Sequence, residues 1–211
     1  MKTLFSFAAL CLGFCYALTA QTHAVTDTGQ EVLLYSDGTY AYVNAEDAEA
    51  VTIPTNPEKF TRSENASFLL KSKRMDMGFY LDPKLWSFGE SRENPDAEYE
   101  VVLKGEDLYG VIITEKIEVP LETLKNIAVE NARQIAPDIR IVEQEYRTVN
   151  NQKVLYLRLD GTMDGMKISY SGYFYSDASG TVQFITFTAQ NLVEEYKEAS
   201  QQLINGLVKI S

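Results

Sequence analysis

Four strand-like runs in the last third of the chain constrain its fold more than any other feature. The runs cover residues 139–148, 153–160, 166–175 and 181–189. Short segments rich in turn-forming residues join them: Asn150-Asn151, Gly161 to Gly165, and Ser176 to Gly180. Because consecutive strands joined by tight turns pair antiparallel, the sequence predicts a four-strand antiparallel meander.

One helix is predicted before this meander along the chain, and a second helix is predicted after it. The first covers residues 120–136, begins at Pro120 and is stopped by Pro137. Its apolar residues recur at helical spacing: Leu121, Leu124, Ala128, Ala132 and Ile135. Within the meander, Tyr170 and Phe174 share one face while Tyr173 and Tyr175 share the other. Since both faces carry apolar side chains, we expect helices on both faces of an α+β fold.

The second helix is predicted from Leu192 to Asn205. Asn191 is suited to cap its first turn, Glu194 to complete a capping box, and Gly206 to end it. Its expected buried stripe consists of Leu192, Tyr196, Ala199, Leu203 and Leu207. This helix is the last predicted element of the chain.

Further strands are predicted upstream of the first helix. They lie within residues 67–80, 99–104 and 108–116. Between them, Pro83 fits the first position of a short helical turn, and Trp86 is expected to anchor the core.

The segment near the start of the chain has a different character. Two β-rich runs, Glu31 to Tyr35 and Thr39 to Val43, flank Ser36-Asp37-Gly38, which indicates a tight hairpin. Residues 44–62 contain acidic residues and two prolines, a composition typical of a linker. We therefore expect a hairpin segment at 21–43, a linker at 44–62 and an α+β domain at 63–211.

Residues 1–20 have the features of a secretory signal peptide. Lys2 supplies a positive charge, and the apolar run from Leu4 to Ala17, broken only by Ser6, is too short to cross a bilayer. Cleavage is predicted near Ala20, with Ala17 and Ala24 as alternatives. The mature chain is then periplasmic or secreted and lacks an integral membrane segment.

This leader contains both cysteines of the chain, Cys11 and Cys15, so no disulfide or thiolate chemistry is expected after cleavage. The single histidine, His23, is expected on an incidental terminal tail. A serine–histidine triad or a typical zinc site would need a rigidly held imidazole. The sequence accordingly predicts a non-enzymatic protein, and it assigns no catalytic, cofactor-binding or metal-binding residue.

The charge balance limits the partners. The chain has 30 acidic and 19 basic residues, a net charge of −11. Nucleic acid is therefore not expected as a partner, because phosphate binding depends on clustered basic residues. The one basic cluster, at Lys71, Lys73 and Arg74, is interpreted as a solvated strand edge.

The acidic turn, the glutamate pairs and the tyrosine cluster of the sequence each allow a structural and a functional interpretation. The segment Asp160 to Gly165 is expected to be a plain hairpin, with weak calcium binding as the alternative. The pairs Glu98/Glu100 and Glu143/Glu145 are expected on solvated sheet faces, although paired carboxylates also occur in glycoside hydrolases. Core packing is favoured over an interface role for the three tyrosines of one strand: Tyr170, Tyr173 and Tyr175.

Three local segments resemble the PsbP-like fold of photosystem extrinsic proteins and some bacterial periplasmic proteins. They are Tyr80-Leu-Asp-Pro83-Lys-Leu-Trp86, Val149-Asn150-Asn151-Gln152 and Phe184-Ile-Thr-Phe-Thr188. The resemblance covers roughly Ser67 to Ile210 and implies an antiparallel sheet between helices. The run from Glu31 to Tyr40 also resembles a DGTW/DGTY hairpin found in many Gram-negative envelope proteins.

The resemblance implies a non-enzymatic binding or accessory module that engages another protein of the cell envelope. The second hypothesis is a carrier of a small amphipathic ligand, held between helix Leu121 to Ile135 and an aromatic sheet face. The third is a carboxylate-based hydrolase. The sequence leaves the oligomeric state open.

Overall fold

The computed structural model describes residues 22–26, 30–35, 40–44, 53–91 and 94–210. The predicted leader with its cleavage site and both cysteines lies outside the described residues, as does the predicted turn at residues 36–38. The chain divides into two compact units, residues 1–52 and 53–211. The fold is mixed α+β, and strands predominate among the described residues.

The first unit contains a three-stranded antiparallel sheet in the order β1-β2-β3. Its strands are β1 (Thr22–Val25), β2 (Glu31–Leu34) and β3 (Tyr40–Tyr42). The expectation that His23 lies on a tail is wrong, because His23 lies on β1 opposite Leu33. The added strand hydrogen-bonds to an edge that a two-stranded hairpin would leave open.

The second unit contains eleven of the described strands and both of the described α-helices. Before the first helix come β4 (Thr55–Phe60), β5 (Phe68–Lys71), β6 (Met77–Leu81), β7 (Trp86–Glu90), β8 (Ala97–Leu103) and β9 (Tyr109–Glu115). Then follow α1 (Leu121–Ile135), β10 (Arg140–Val149), β11 (Gln152–Met163), β12 (Met166–Asp177), β13 (Gly180–Ala189), α2 (Val193–Ile204) and β14 (Leu207–Lys209).

The main sheet has eight strands in the order β4-β10-β11-β12-β13-β9-β8-β7. The predicted meander is confirmed, since β10 to β13 pair antiparallel in succession. Two-residue turns fix its register. Asn150 and Asn151 join β10 to β11 and Asp164 and Gly165 join β11 to β12, and all four have positive φ angles, as type I′ hairpin turns require.

Residues 55–60, predicted as part of the linker, instead form the edge strand β4. This strand pairs parallel with β10, so that Lys59 lies opposite Thr148 and Phe60 opposite Val149. Pro57 is compatible with this position because an edge strand needs hydrogen bonds on only one side. The other described residues of the predicted linker are 44, 53–54 and 61–62.

The end of the chain differs from the prediction in two respects. A 3₁₀ turn at Gln190–Leu192 precedes α2, and no side chain caps the helix, so the predicted capping box is wrong. Leu207, predicted in the helical stripe, lies on β14 and pairs with Phe79 of β6. Strands β14, β6 and β5 form a separate antiparallel sheet.

Residues 83–85 form a single turn, in which the Trp86 amide donates to the carbonyl oxygen of Asp82 four residues earlier, and Trp86 opens β7. The tryptophan is 3% exposed and belongs to the largest core cluster, as the sequence predicts. That cluster also takes in Tyr173, Tyr175 and Phe184 of the meander together with Leu203 of α2. A smaller cluster joins α1 to β11 and β12.

Candidate functional site

A groove of about 810 Å³ lies between α1 and the neighbouring face of the main sheet. Its wall is one flank of the helix, and its floor is built from strands β8, β9, β13, β12 and β11. We call it the α1 groove. It coincides with the place that the sequence suggested for a small ligand.

The helix is held over one side of this face by its own apolar stripe. Leu124 and Ala128 pack in a cluster with Leu155, Leu157 and Phe174. Strands β13, β9 and β8 continue the face beyond that contact. The groove forms there because α1 packs on β11 and β12 and leaves the neighbouring strands uncovered by its side chains.

The floor of the groove is apolar and only half-buried. Val111, Ile113 and Ile185 lie on it, on two paired strands. Alternate residues of a strand point to opposite faces, and the residues between these three on β9 and β13, such as Ile112 and Phe184, are buried in the main core. Partly exposed aliphatic side chains on an interior strand are surface that a ligand can cover.

Gly172 lies in the centre of this floor, on β12. A Cβ atom at this position would come within 2.9 Å of Ile185 and within 2.7 Å of the carbonyl oxygen of Phe184. The absence of a side chain therefore allows β12 and β13 to pack closely beneath the groove.

Three aromatic side chains form a row across one end of the groove. Tyr109 lies opposite Phe187, which lies opposite Tyr170, in the register of β9, β13 and β12. The ring centroids are 5.6 Å apart in the first pair and 5.9 Å in the second. Tyr109 is 38% exposed, whereas burial raises the pKa of Tyr170. The row offers flat, partly exposed surface for stacking.

The charged residues among the described lining of the groove are all acidic. Asp96, Glu100 and Glu115 line it, and none of its described lining residues is a lysine or arginine. The Ser91 hydroxyl donates a hydrogen bond of 2.5 Å to Glu100. Arg74 approaches the end of the groove but donates to the main-chain carbonyl oxygens of Asp96 and Thr114.

The predicted pairing of Glu98 and Glu100 on one solvated face is wrong. A register shift between Ala97 and Tyr99 interrupts the alternation of β8. Glu98 is 7% exposed and accepts hydrogen bonds from Ser72 and Thr114, whereas Glu100 lines the groove. A bulge thus brings one carboxylate into the core and leaves the other available to a ligand.

Glu143 and Glu145 contact a buried cation, Arg147, rather than lying on a fully solvated face. Glu145 accepts a hydrogen bond from the Arg147 side chain, and Glu143 lies 3.9 Å from it. The Arg147 side chain is 8% exposed. The guanidinium Cζ lies 3.6 Å from the ring centroid of Tyr156 and 4.7 Å from that of Phe60.

Arg147 also joins the sheet to α2. Its Nη1 donates to Gln201 at 2.8 Å and to the Tyr173 hydroxyl at 3.4 Å. Burial opposes the charged form of Arg147, yet hydrogen bonds with Tyr173 and Glu145 raise its pKa above the ordinary value. The role that this geometry supports is structural, because the guanidinium's contacts come from the protein itself.

The other residues that the sequence singled out lie apart from the groove, with one exception. Tyr173 and Tyr175 are buried in the core as predicted, but Tyr170 belongs to the aromatic row. Asp160 accepts a hydrogen bond from Ser169, and Asp164 is exposed in the turn. Within the described residues, no group of three or more histidine, cysteine, aspartate or glutamate side chains is placed to hold a metal ion.

Comparison with known proteins identifies the fold. The structure is similar to the solution structure of cyanobacterial PsbP (CyanoP) from Synechocystis sp. PCC 6803, with a TM-score of 0.53 and 11% identity. The similarity covers 70% of this chain and 94% of that one. The predicted PsbP-like fold is confirmed.

Two more distant structures are a protein of unknown function from Pseudomonas aeruginosa, a putative regulator, and LpqN of Mycobacterium tuberculosis, involved in cell envelope biogenesis. Their TM-scores are 0.44 and 0.38, at 12% and 8% identity. The similarity to the Pseudomonas aeruginosa protein covers 67% of this chain and 95% of that one. The similarity to LpqN covers 79% of this chain and 96% of that one.

No protein-family model and no curated protein sequence matches the chain. None of the helices among the described residues is long and apolar enough to cross a bilayer.

Proposed function

We propose that the protein is an exported, non-enzymatic binding module of the cell envelope that holds a small amphipathic ligand in the α1 groove. The observation that carries the proposal is the groove itself. Its volume of 810 Å³ falls within the range of about 300–1,000 Å³ that small-molecule sites occupy. Its apolar floor and aromatic row match the predominantly hydrophobic and aromatic lining of such sites, and its polar side chains can orient a ligand.

The proposal includes the predicted helix on each face of the main sheet. Leu155 and Leu157 pack with α1, whereas Val154 and Tyr156 belong to the cluster that contains Leu203 of α2. Neighbouring residues of a strand point to opposite faces. With α2 opposite α1, the sheet is a rigid floor, and a ligand has access to it from the α1 side.

An accessory role toward another envelope protein remains part of the proposal. A module that binds a small ligand within the envelope has to receive it from, or deliver it to, another component. The export signal predicted at residues 1–20 and the PsbP-like fold support this setting. The groove favours a small ligand over a protein surface as its primary occupant, because it is a recess rather than a flat surface.

The test uses N-phenyl-1-naphthylamine, an uncharged amphipathic probe that fluoresces in apolar surroundings. We expect saturable binding at one site per chain. Val111→Trp places a large ring on the groove floor and should weaken binding at least 10-fold. Val142→Trp is the matched control, because Val142 is 41% exposed and does not line the groove.

Circular dichroism would first confirm that both variants are folded. Equal binding by the two folded variants would refute the α1 groove as the site. Absence of saturable binding in the unmodified protein would refute the ligand-carrier function.

A further inference from the structure

We propose that the ligand of the α1 groove is an amphipathic cation, whose positive group binds beside Glu100 and Tyr109 while its apolar part covers the floor. The inference rests on the proposed function and goes beyond it by assigning the charge of the ligand. It follows from three features of the groove: the sign of its charges, the position of Glu100 and the adjoining aromatic row.

The charges come first. Three carboxylate side chains, of Asp96, Glu100 and Glu115, line the groove, and its described lining contains no basic side chain. Among these described lining residues, an anionic headgroup would meet repulsion and find no guanidinium or ammonium partner. A cationic group would meet complementary charge, which favours its binding and its approach.

Glu100 is the carboxylate best placed to bind such a group. It is partly buried on the inner strand β8, and its described hydrogen-bond donor is the neutral Ser91 hydroxyl. A carboxylate has several acceptor sites, so one such bond leaves capacity for a ligand. No ion pair to a basic side chain forms at Glu100 within the described chain.

The aromatic row begins beside this carboxylate. Glu100 on β8 lies opposite Val111 on β9. Tyr109 is two residues from Val111 on β9 and lies opposite Val102. Side chains in this diagonal relation share a sheet face and lie about 7–8 Å apart. A cation between them would contact both the carboxylate and the partly exposed ring of Tyr109, and aromatic faces attract cations.

The apolar floor defines the rest of the ligand. Val111 and Ile185 continue from this position toward α1, where Ile135 lines the wall and is 55% exposed. An alkyl or ring system attached to the cationic group would cover these side chains. The chemical class is therefore an apolar amine or quaternary ammonium compound.

The experiment measures displacement of the naphthylamine probe by three compounds with the same tail, used below their micelle concentrations. They are dodecyltrimethylammonium, dodecyl maltoside and dodecyl sulfate. We expect the ammonium compound to bind at least 10-fold more tightly than the sulfate. The maltoside should lie between them.

Variants separate the groove from the net charge of the protein. Glu100→Gln should reduce the preference for the ammonium compound about 5-fold or more, with little change for the maltoside. Glu64→Gln changes the net charge equally but alters an exposed residue that does not line the groove, so it should retain the preference. Tyr109→Leu should weaken binding of the ammonium compound more than that of the maltoside.

The outcomes distinguish the two proposals. If the ammonium and sulfate compounds bind equally, or if Glu64→Gln and Glu100→Gln change the preference equally, the cation inference is wrong while the ligand-carrier function stands. If none of the three displaces the probe, both proposals fail. A preference abolished by Glu100→Gln alone supports both.

Discussion

Replacing Arg147 by methionine tests whether the buried guanidinium holds the sheet to α2. Methionine retains much of the apolar length but cannot donate to Gln201 or Glu145. Removing one member of a buried ion pair costs about 3–5 kcal/mol, because the remaining charge is left without compensation. Glu145 retains 18% side-chain exposure and a hydrogen bond from Asn56, so we expect the lower limit, about 3 kcal/mol.

A second substitution separates the charge from the packing. Glu145→Gln keeps an acceptor for Asn56 but removes the negative charge. Alone, it should cost about 1.5 kcal/mol, the value of one charged hydrogen bond. Combined with Arg147→Met, the double variant should lose about 2 kcal/mol less than the sum of the single losses, within the coupling range of contacting residues.

The assay is urea unfolding followed by the fluorescence of Trp86, the single tryptophan, which is buried in the second unit. Arg133→Met is the control, because Arg133 makes an exposed ion pair with Glu130 and should change the free energy of unfolding by less than about 0.5 kcal/mol. A loss under about 1 kcal/mol for Arg147→Met, or additive losses in the double variant, would refute the structural role of this pair.

Three further substitutions have calculable effects on unfolding. Gly206→Ala should lower the free energy of unfolding by about 3 kcal/mol, because the added Cβ would lie 1.9 Å from the carbonyl oxygen of Tyr80. An unchanged midpoint of urea unfolding would contradict this close approach. Phe184→Ala should cost about 3–5 kcal/mol, because the ring is 1% exposed in the main core; a loss under about 1 kcal/mol would show that the site is not tightly packed. Burial opposes ionisation of Asp177, but hydrogen bonds from Lys209 and Ser179 hold its pKa well below the ordinary 3.8. Its stabilisation is therefore complete above that value and is lost as pH falls through it toward the lower folded pKa. Asp177→Asn should cost about 1–2 kcal/mol at pH 7 and progressively less as the pH falls below 3.8, whereas a cost independent of pH would exclude the charge as its cause.

The meander and α1 were predictable because their signals are local. Asn150-Asn151 and Asp164-Gly165 specify two-residue turns, and the apolar stripe of α1 has the helical period. Strand β4 was missed because its partner, β10, lies more than eighty residues away and its own sequence, Thr55 to Phe60, lacks alternation of apolar residues. Long-range pairing decides such a strand, and composition does not reveal it.

The position of the candidate site was predictable from the sequence, but the placement of its acidic and aromatic side chains was not. The second of the three sequence hypotheses was a small ligand held between helix Leu121 to Ile135 and an aromatic sheet face, and the groove lies at that position. The role that we propose for Glu100 depends on the register shift between Ala97 and Tyr99, and the aromatic row depends on the pairing of three strands. Arg147 was missed for the same reason, because its aromatic contacts come from Phe60 and Tyr156, on two other strands.

The parallel pairing of β4 with β10 also bears on the order in which the sheet can form. Strand β4 is separated from residues 140–149 along the chain by strands β5 to β9 and helix α1, so its pairing closes a long loop. Strands β10 to β13 can form contacts of short sequence separation. Because closing long loops slows folding, we expect the meander to form the nucleus and the β4 edge to join it late.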